Sequence, residues 1–280
     1  PLPRQMLVSK SGLTAEPDAA VALGESIYSA NKRMQTCGCK RAYGVEFASE
    51  LHPLSWGNMD DMQRLYQSAA KLQQVAPDAV MVGGSAAVFY AGHRMSFDHD
   101  HVIENLQGRY DAVLEAVMGL DGWSTNPRAS KPPMTIMGSL DGYQAGLRNL
   151  RRKAPLEVQE LQLPNGDTLR IPTIEEVLRT KAFLIVQRNQ VRDFLDVAAV
   201  STQMGISSAC NTLLQIDRFY TEFTGTDGSV LSELVCMLAE PDPADRRNKD
   251  ALSQYKGAVA GWDSWDRVET TCKELAACLT

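Results

Sequence analysis

The sequence predicts an α/β (α+β) fold in which strands and helices alternate to about residue 172 and helices alone follow. Three observations carry that expectation. The apolar run Ala79 to Val82 ends at Gly83-Gly84 and gives way to a helix-like stretch from Ser85 to Tyr90, the order of strand, turn and helix start. Two strand-like runs, Leu156 to Leu163 and Thr168 to Ile171, flank Pro164-Asn165-Gly166-Asp167, and Asn-Gly is a favoured hairpin turn. From Thr173 onward apolar residues such as Ile174, Val177, Leu178 and Ala182 recur at helical spacing.

In chain order, residues 1–55 form an extension of unassigned role, with a helix predicted over Ala19 to Met34 and interruptions at Gly38, Gly44 and Pro53. A helix is predicted from Asp60 to about Gln74, then the strand, glycine turn and helix already described. A strand over Phe97 to Ile103, a helix over Tyr110 to Met118 and short strands at Met134 to Met137 and Tyr143 to Leu147 follow. Thr173 sits where its hydroxyl can cap the next helix. Helices are predicted at Ser207 to Phe223, Ser229 to Leu238 and, in one or two pieces, Lys249 to Cys278, separated by Gly225, Gly228, Pro241 and Pro243. Trp262 and Trp265 read as core anchors rather than as a base-stacking platform.

The chain has 280 residues, 44% of them hydrophobic and 22% charged, which describes an ordinary folded protein of one large or two modest domains. A net charge of −6 excludes a broad basic surface for non-specific nucleic-acid binding, although the cluster Arg148, Arg151, Arg152, Lys153 is locally basic and reads as a solvated loop or an RNA-backbone contact. Six cysteines without Cys-x-x-Cys spacing indicate neither a zinc ribbon nor a disulfide framework, so reduced thiols and a cytoplasmic location are expected. No apolar run approaches the roughly 20 residues of a membrane span, and no signal peptide is evident.

The candidate chemistry lies between residues 82 and 100. Glycines allow close backbone approach and a helix N-terminus offers free N–H groups, so Gly83-Gly84-Ser85 can hold phosphates, or can be a plain tight turn. On a strand, Asp98 and Asp100 project from one face and repel each other unless a cation lies between them. Their hard oxygens suit Mg²⁺ or Mn²⁺; the alternative is a solvated acidic edge strand. His99 and His101 take the opposite face, as core or surface imidazoles by default or as half of a transition-metal site.

Gly83-Gly84-Ser85 followed by Gly92-His93-Arg94-Met95-Ser96-Phe97-Asp98-His99-Asp100 resembles the signature of minimal nucleotidyltransferases of the AbiEii and MenT toxin type, within the DNA-polymerase-beta-like superfamily. A second block, Thr173 to Lys181 and then Arg192-Asp193-Phe194-Leu195-Asp196, is similar to that family's helical lysine and Arg-Asp-x-x-Asp helix, in the family's order. The resemblance covers roughly residues 75 to 205. It implies a nucleotidyltransferase core with a mixed sheet flanked by helices over residues 56–172, and a helical C-terminal domain over 173–280 that contributes Lys181 and Asp193.

The resemblance also implies roles. Asp98 and Asp100 would hold Mg²⁺ or Mn²⁺; Gly83, Gly84, Ser85, Ser96 and Lys181 would bind the nucleotide; Asp193 would orient the nucleophile or the lysine, with Arg94, Arg192 and Asp196 supporting. A third metal-site carboxylate is usual in the superfamily, and the candidates here are Glu157, favoured slightly, and Glu160. Read without the family, Lys181 is a snorkelling lysine at the edge of an apolar stripe and Asp193 a first-turn acid. The implied reaction moves a nucleoside monophosphate from an NTP to a hydroxyl acceptor. That acceptor is tRNA in some relatives, which often act as toxins paired with an antitoxin. The alternatives are a protein or antibiotic-type small-molecule acceptor, and a non-catalytic nucleotide-binding regulatory module.

Overall fold

The computed structural model describes residues 56–223, 229–255 and 257–280, with side chains from residue 61. The extension over 1–55, its helix over Ala19 to Met34, the Cys37 and Cys39 pair and the breaks at Gly225 and Gly228 lie outside the described residues.

Helix α1 (Trp56–Val75) leads to strand β1 (Val80–Val82), helix α2 (Gly83–Ala91) and strand β2 (Asp98–Ile103). Helix α3 (Tyr110–Met118) precedes β3 (Trp123–Thr125), β4 (Thr135–Leu140) and β5 (Tyr143–Asn149). These strands form one mixed sheet in the order β1-β2-β5-β4-β3, in which only the β2–β5 pair is parallel. The predicted hairpin is present as β6 (Val158–Gln162) and β7 (Thr168–Pro172), a separate two-stranded sheet. Strand β3 was not foreseen: it is only three residues long and none of its side chains is fully buried, so it carries little periodic signal.

The helical part comprises α4 (Ile174–Arg188), α5 (Val191–Met204), α6 (Ile206–Leu213), α7 (Ile216–Phe219), α8 (Val230–Ala239), the single turn α9 (Arg247–Asp250) and α10 (Trp265–Leu279). Thr173 caps α4 by accepting from the Glu176 amide at 3.3 Å. The expected helix over Ser207 to Phe223 is broken after Leu213, and that over Lys249 to Cys278 is continuous only within α10.

Of three apolar clusters among the described residues, a small one joins Met62 and Leu65 to Val88 and Met95, and two larger ones hold most of the elements. One, between the sheet and helices α1 and α3, contains Leu72, Ile103, Val113, Val117, Ile136, Leu140 and Leu147. The larger joins Met81, Ala86 and Ala87 to Phe194, Leu195, Leu234 and Leu275, so the sheet-bearing and helical parts share one core. Trp262 is buried, and Trp265 packs against that cluster. The sulfurs of Cys210 and Cys278 are joined, tying α6 to the end of α10; this corrects the expectation of reduced thiols, which holds for Cys236 and Cys272. The pairing brings together residues 68 apart, which spacing alone does not reveal. Among the described residues no helix is long and apolar enough to cross a membrane.

Candidate active site

Strand β2 alternates as period two requires. His99, His101 and Ile103 are buried, whereas Asp98, Asp100 and Val102 face a cavity of about 640 Å³. Both aspartates therefore share a face, flanked by β1 through the Val82–Asp100 pairing and by β5 through Asp98–Gln144 and Asp100–Gly146. Ser96 donates to Asp98 Oδ1 at 3.0 Å and fixes that carboxylate's orientation.

The glycine turn opens the same cavity. Gly83 has φ +79°, a left-handed conformation that a side chain would strain, and it begins α2, whose N-terminus has no side-chain cap. A Cβ on Gly84 would fall 2.6 Å from Nη2 of Arg94, so this position must be bare for the guanidinium to pass. Both glycines line the cavity. Ser85 does not: it is buried, and its hydroxyl donates to the Asp98 carbonyl, clamping the start of α2 to β2. Ser96 is likewise buried and acts through Asp98.

The opposite wall comes from α4 and α5. Lys181, buried despite its charge, lines the cavity and places Nζ 2.6 Å from Oδ2 of Asp196. Arg94 grips the same carboxylate with both nitrogens, Nε to Oδ1 at 2.9 Å and Nη2 to Oδ2 at 3.0 Å, and His93 Nε2 is 2.8 Å from Oδ1. Burial alone would raise the Asp196 pKa, but the Arg94 guanidinium and the Lys181 ammonium hold it well below the usual carboxylate range. Burial lowers the pKa of His93, so its imidazole stays neutral and Nε2–H donates to Asp196.

The sequence ranks Asp193 above Asp196, and in the structure it is Asp196 that holds the lysine of the cavity. Asp193 is fully buried and taken up by Arg188, Nε to Oδ2 and Nη2 to Oδ1, both at 2.6 Å; Lys181 is held by Asp196. Helical spacing puts both acids on one side of α5 but does not say which cation each meets.

Glu157 does not join the aspartates either. It lies just before β6, outside the five-stranded sheet, half exposed and paired with Arg179. Glu160, exposed on β6, is equally outside the cavity lining. The β5 residues beside Asp98, Asp100 and Val102 are Gln144, Gly146 and Arg148, none of them acidic. Among the described residues no group of three or more His, Cys, Asp or Glu could hold a metal ion. His99 and His101 pack edge to face in the core, with His99 Nε2 3.2 Å from Ser68 Oγ, in keeping with core imidazoles.

Three features escaped sequence reasoning. A Cβ on Gly146 would fall 2.6 Å from Asp100 Oδ1, and a glycine inside a strand is the signal for such a close approach. Arg148 belongs to β5 rather than to a loop, with Nη2 3.5 Å from Asp100 Oδ1. Arg152 is buried, bound to Glu176 at 2.7 Å and stacked over Phe219 and Tyr220. Arg94, Arg148, Arg151, Arg152, Lys181, Arg188 and Arg192 line the cavity with Asp98 and Asp100. Although Asp196, Asp193 and Glu176 behind the lining take up part of that charge, the balance stays positive. An anionic ligand fits a cleft of that balance.

The class these observations define is an α+β protein whose mixed sheet presents two same-facing carboxylates to a basic cleft walled by helices. No protein-family model matches the chain. It is 28% identical over 253 residues to the heme uptake protein MmpL11 of Mycobacterium tuberculosis, covering 84% of this chain and 24% of that protein. It is 28% identical over 219 residues to the mycolic acid-containing lipids exporter MmpL11 of Mycolicibacterium smegmatis, covering 78% of this chain and 22% of that protein. The chain thus spans about a quarter of the length of these curated relatives. Among solved structures it is similar to the MenT4 nucleotidyltransferase toxin of Mycobacterium tuberculosis, with TM-score 0.48 and 17% identity over 78% of this chain and 88% of that one. It is also similar to JHP933 of Helicobacter pylori, with TM-score 0.42 and 16% identity over 81% of this chain and 91% of that one.

Proposed function

We propose that the chain is a metal-dependent nucleotidyltransferase that moves a nucleoside monophosphate from an NTP to a hydroxyl. The observation that carries this reading is the juxtaposition of Asp98 and Asp100 with the bare Gly83-Gly84 turn and Lys181 around one basic cavity. Two carboxylates supply hard oxygen donors of the kind that hold Mg²⁺ or Mn²⁺ through one or two acids, with substrate phosphates completing the shell. Such an ion, when bound, neutralises developing charge and orients the reacting oxygens.

The rest is work for this chain's own groups. Amides at the start of α2 and the Lys181 and Arg94 side chains receive the phosphate oxygens, with Asp196 fixing both cations in place. The acceptor oxygen bonds to the α-phosphorus while the α–β bridging bond breaks, and pyrophosphate leaves with that electron pair. The acceptor's proton passes to solvent or to a carboxylate of the Asp98–Asp100 pair. With Asp193 held by Arg188, its part is to anchor the α4–α5 corner rather than to touch the nucleophile.

The family resemblance extends the proposal to tRNA as acceptor and to an antitoxin as partner, in the cytoplasm. The transport activities named for the MmpL11 proteins belong to proteins of which this chain spans about a quarter, and the cavity chemistry supports transfer instead. Labelled NTPs with Mg²⁺, the protein and a tRNA pool provide the test. Label in tRNA supports the nucleic-acid acceptor, and label in protein moves the acceptor to a side chain. Asp98→Ala is expected to abolish transfer while leaving the far-ultraviolet spectrum unchanged. Normal turnover by that variant, or no label from any NTP, removes the proposal.

A further inference from the structure

We propose that Arg148 is a built-in counter-cation for Asp100, displaced when a divalent ion arrives and released to bind the phosphates that come with it. The inference rests on the transfer reading above in taking Asp98 and Asp100 as ion ligands. Its basis is the register of the parallel pair: Asp98, Asp100 and Val102 share a face, and their partners Gln144, Gly146 and Arg148 run beside them. Where a further acid would bring a third negative charge, this chain supplies a positive one.

The geometry allows the exchange. Gly146 presents bare backbone to Asp100, so nothing on β5 screens that carboxylate from the guanidinium two residues on, whose Nη2 stands 3.5 Å from Oδ1. The pair is loose: the Arg148 side chain is 47% exposed and that of Asp100 32% exposed. An exposed pair of this kind is weak, so an ion coordinated by both aspartates can replace it. Arg148 also lines the cavity, and a guanidinium freed there suits bidentate binding of phosphate oxygens. Without nucleotide it limits repulsion between the two carboxylates, and with nucleotide it faces the triphosphate.

Mn²⁺ binding to the nucleotide-free full chain, followed by electron paramagnetic resonance of the free ion, reads the first half of the exchange. R148A is expected to tighten Mn²⁺ by about two- to five-fold, the worth of an exposed ion pair. R151A removes the same charge from the same cavity and is expected to change the affinity less. The second half is read by NTP binding in the presence of Mn²⁺, which R148A is expected to weaken although the ion binds more tightly. Equal effects of R148A and R151A on Mn²⁺, or weaker binding of both ion and nucleotide in R148A, overturn the proposal. Mn²⁺ binding that is lost in D98A but unchanged in R148A overturns this inference alone. Binding that is absent in the unmodified chain, or indifferent to D98A, overturns the ion-ligand reading as well.

Discussion

At the scale of single residues, Asp196 organises the site. Its two oxygens serve Arg94, Lys181 and His93, all of them buried, so replacing it strands two cations out of water. Breaking one partner of a buried pair typically costs about 3–5 kcal/mol, and Asp196→Ala is expected to lose stability on that scale, as measured by urea denaturation. Lys181→Ala behaves differently, because Asp196 keeps Arg94 and His93. It is expected to remain folded, with a raised KM for the NTP or a lowered kcat; unchanged values of both would make Lys181 a purely structural lysine. The strand period made the shared face of Asp98 and Asp100 legible, whereas helical spacing alone read Lys181 as a snorkelling lysine and only the family resemblance pointed it into the cleft. The sequence could not assign Asp193 and Asp196 to their cations, since His93 and Arg94 lie over a hundred residues away along the chain and only tertiary packing chooses between the two acids. Glu157 failed for the same reason: its hairpin forms its own sheet, a matter of topology that a strand pattern does not record.

At the scale of elements, what was read correctly had punctuation. The Gly83-Gly84 break, the Asn165-Gly166 turn and the Thr173 cap each have a local cause, and the structure has β1–α2, β6–β7 and α4 where these signals put them. The boundaries within 206–223 and 249–265 had no comparable signal, and there the long helices expected are broken into turns. Thr173 gives a test at this scale. Its hydroxyl accepts from the Glu176 amide at the start of the helix that carries Lys181, and losing an N-cap typically costs about 1 kcal/mol. Thr173→Ala is expected to lower stability by that amount while leaving transfer activity intact, because the shared core, not the cap, holds α4 against α2. A loss of activity with unchanged stability would show that the cap positions the lysine instead.

At the scale of the whole molecule, buried histidines set the response to acid: His93, whose pKa burial lowers, and the two on the face of β2 opposite the cavity. Burial lowers the pKa of His99 from the ordinary 6.5 to about 4, against smaller opposing effects of Asp98 and Asp141, and pushes that of His101 well down. In the unfolded chain these imidazoles take up a proton below about pH 6.5. The unfolded state therefore binds more protons than the folded state between pH 6.5 and about 4, and stability falls as the pH falls through that window. Asp196 acts in the same direction but lower down: its folded pKa is depressed, so its contribution is complete above the unfolded value near 4 and lost only in stronger acid. The two effects separate by pH. Urea midpoints are expected to decline already between pH 6.5 and 5, where the carboxylates are still ionised, with His99 contributing on the order of 2 kcal/mol by pH 5. His101→Leu puts an apolar group in an apolar place and removes one proton acceptor from the unfolded chain, so its decline is expected to be shallower and its stability at pH 7 no lower. A flat midpoint over that range, or a slope unchanged by His101→Leu, would show that the imidazoles behind the aspartates titrate as they do in water.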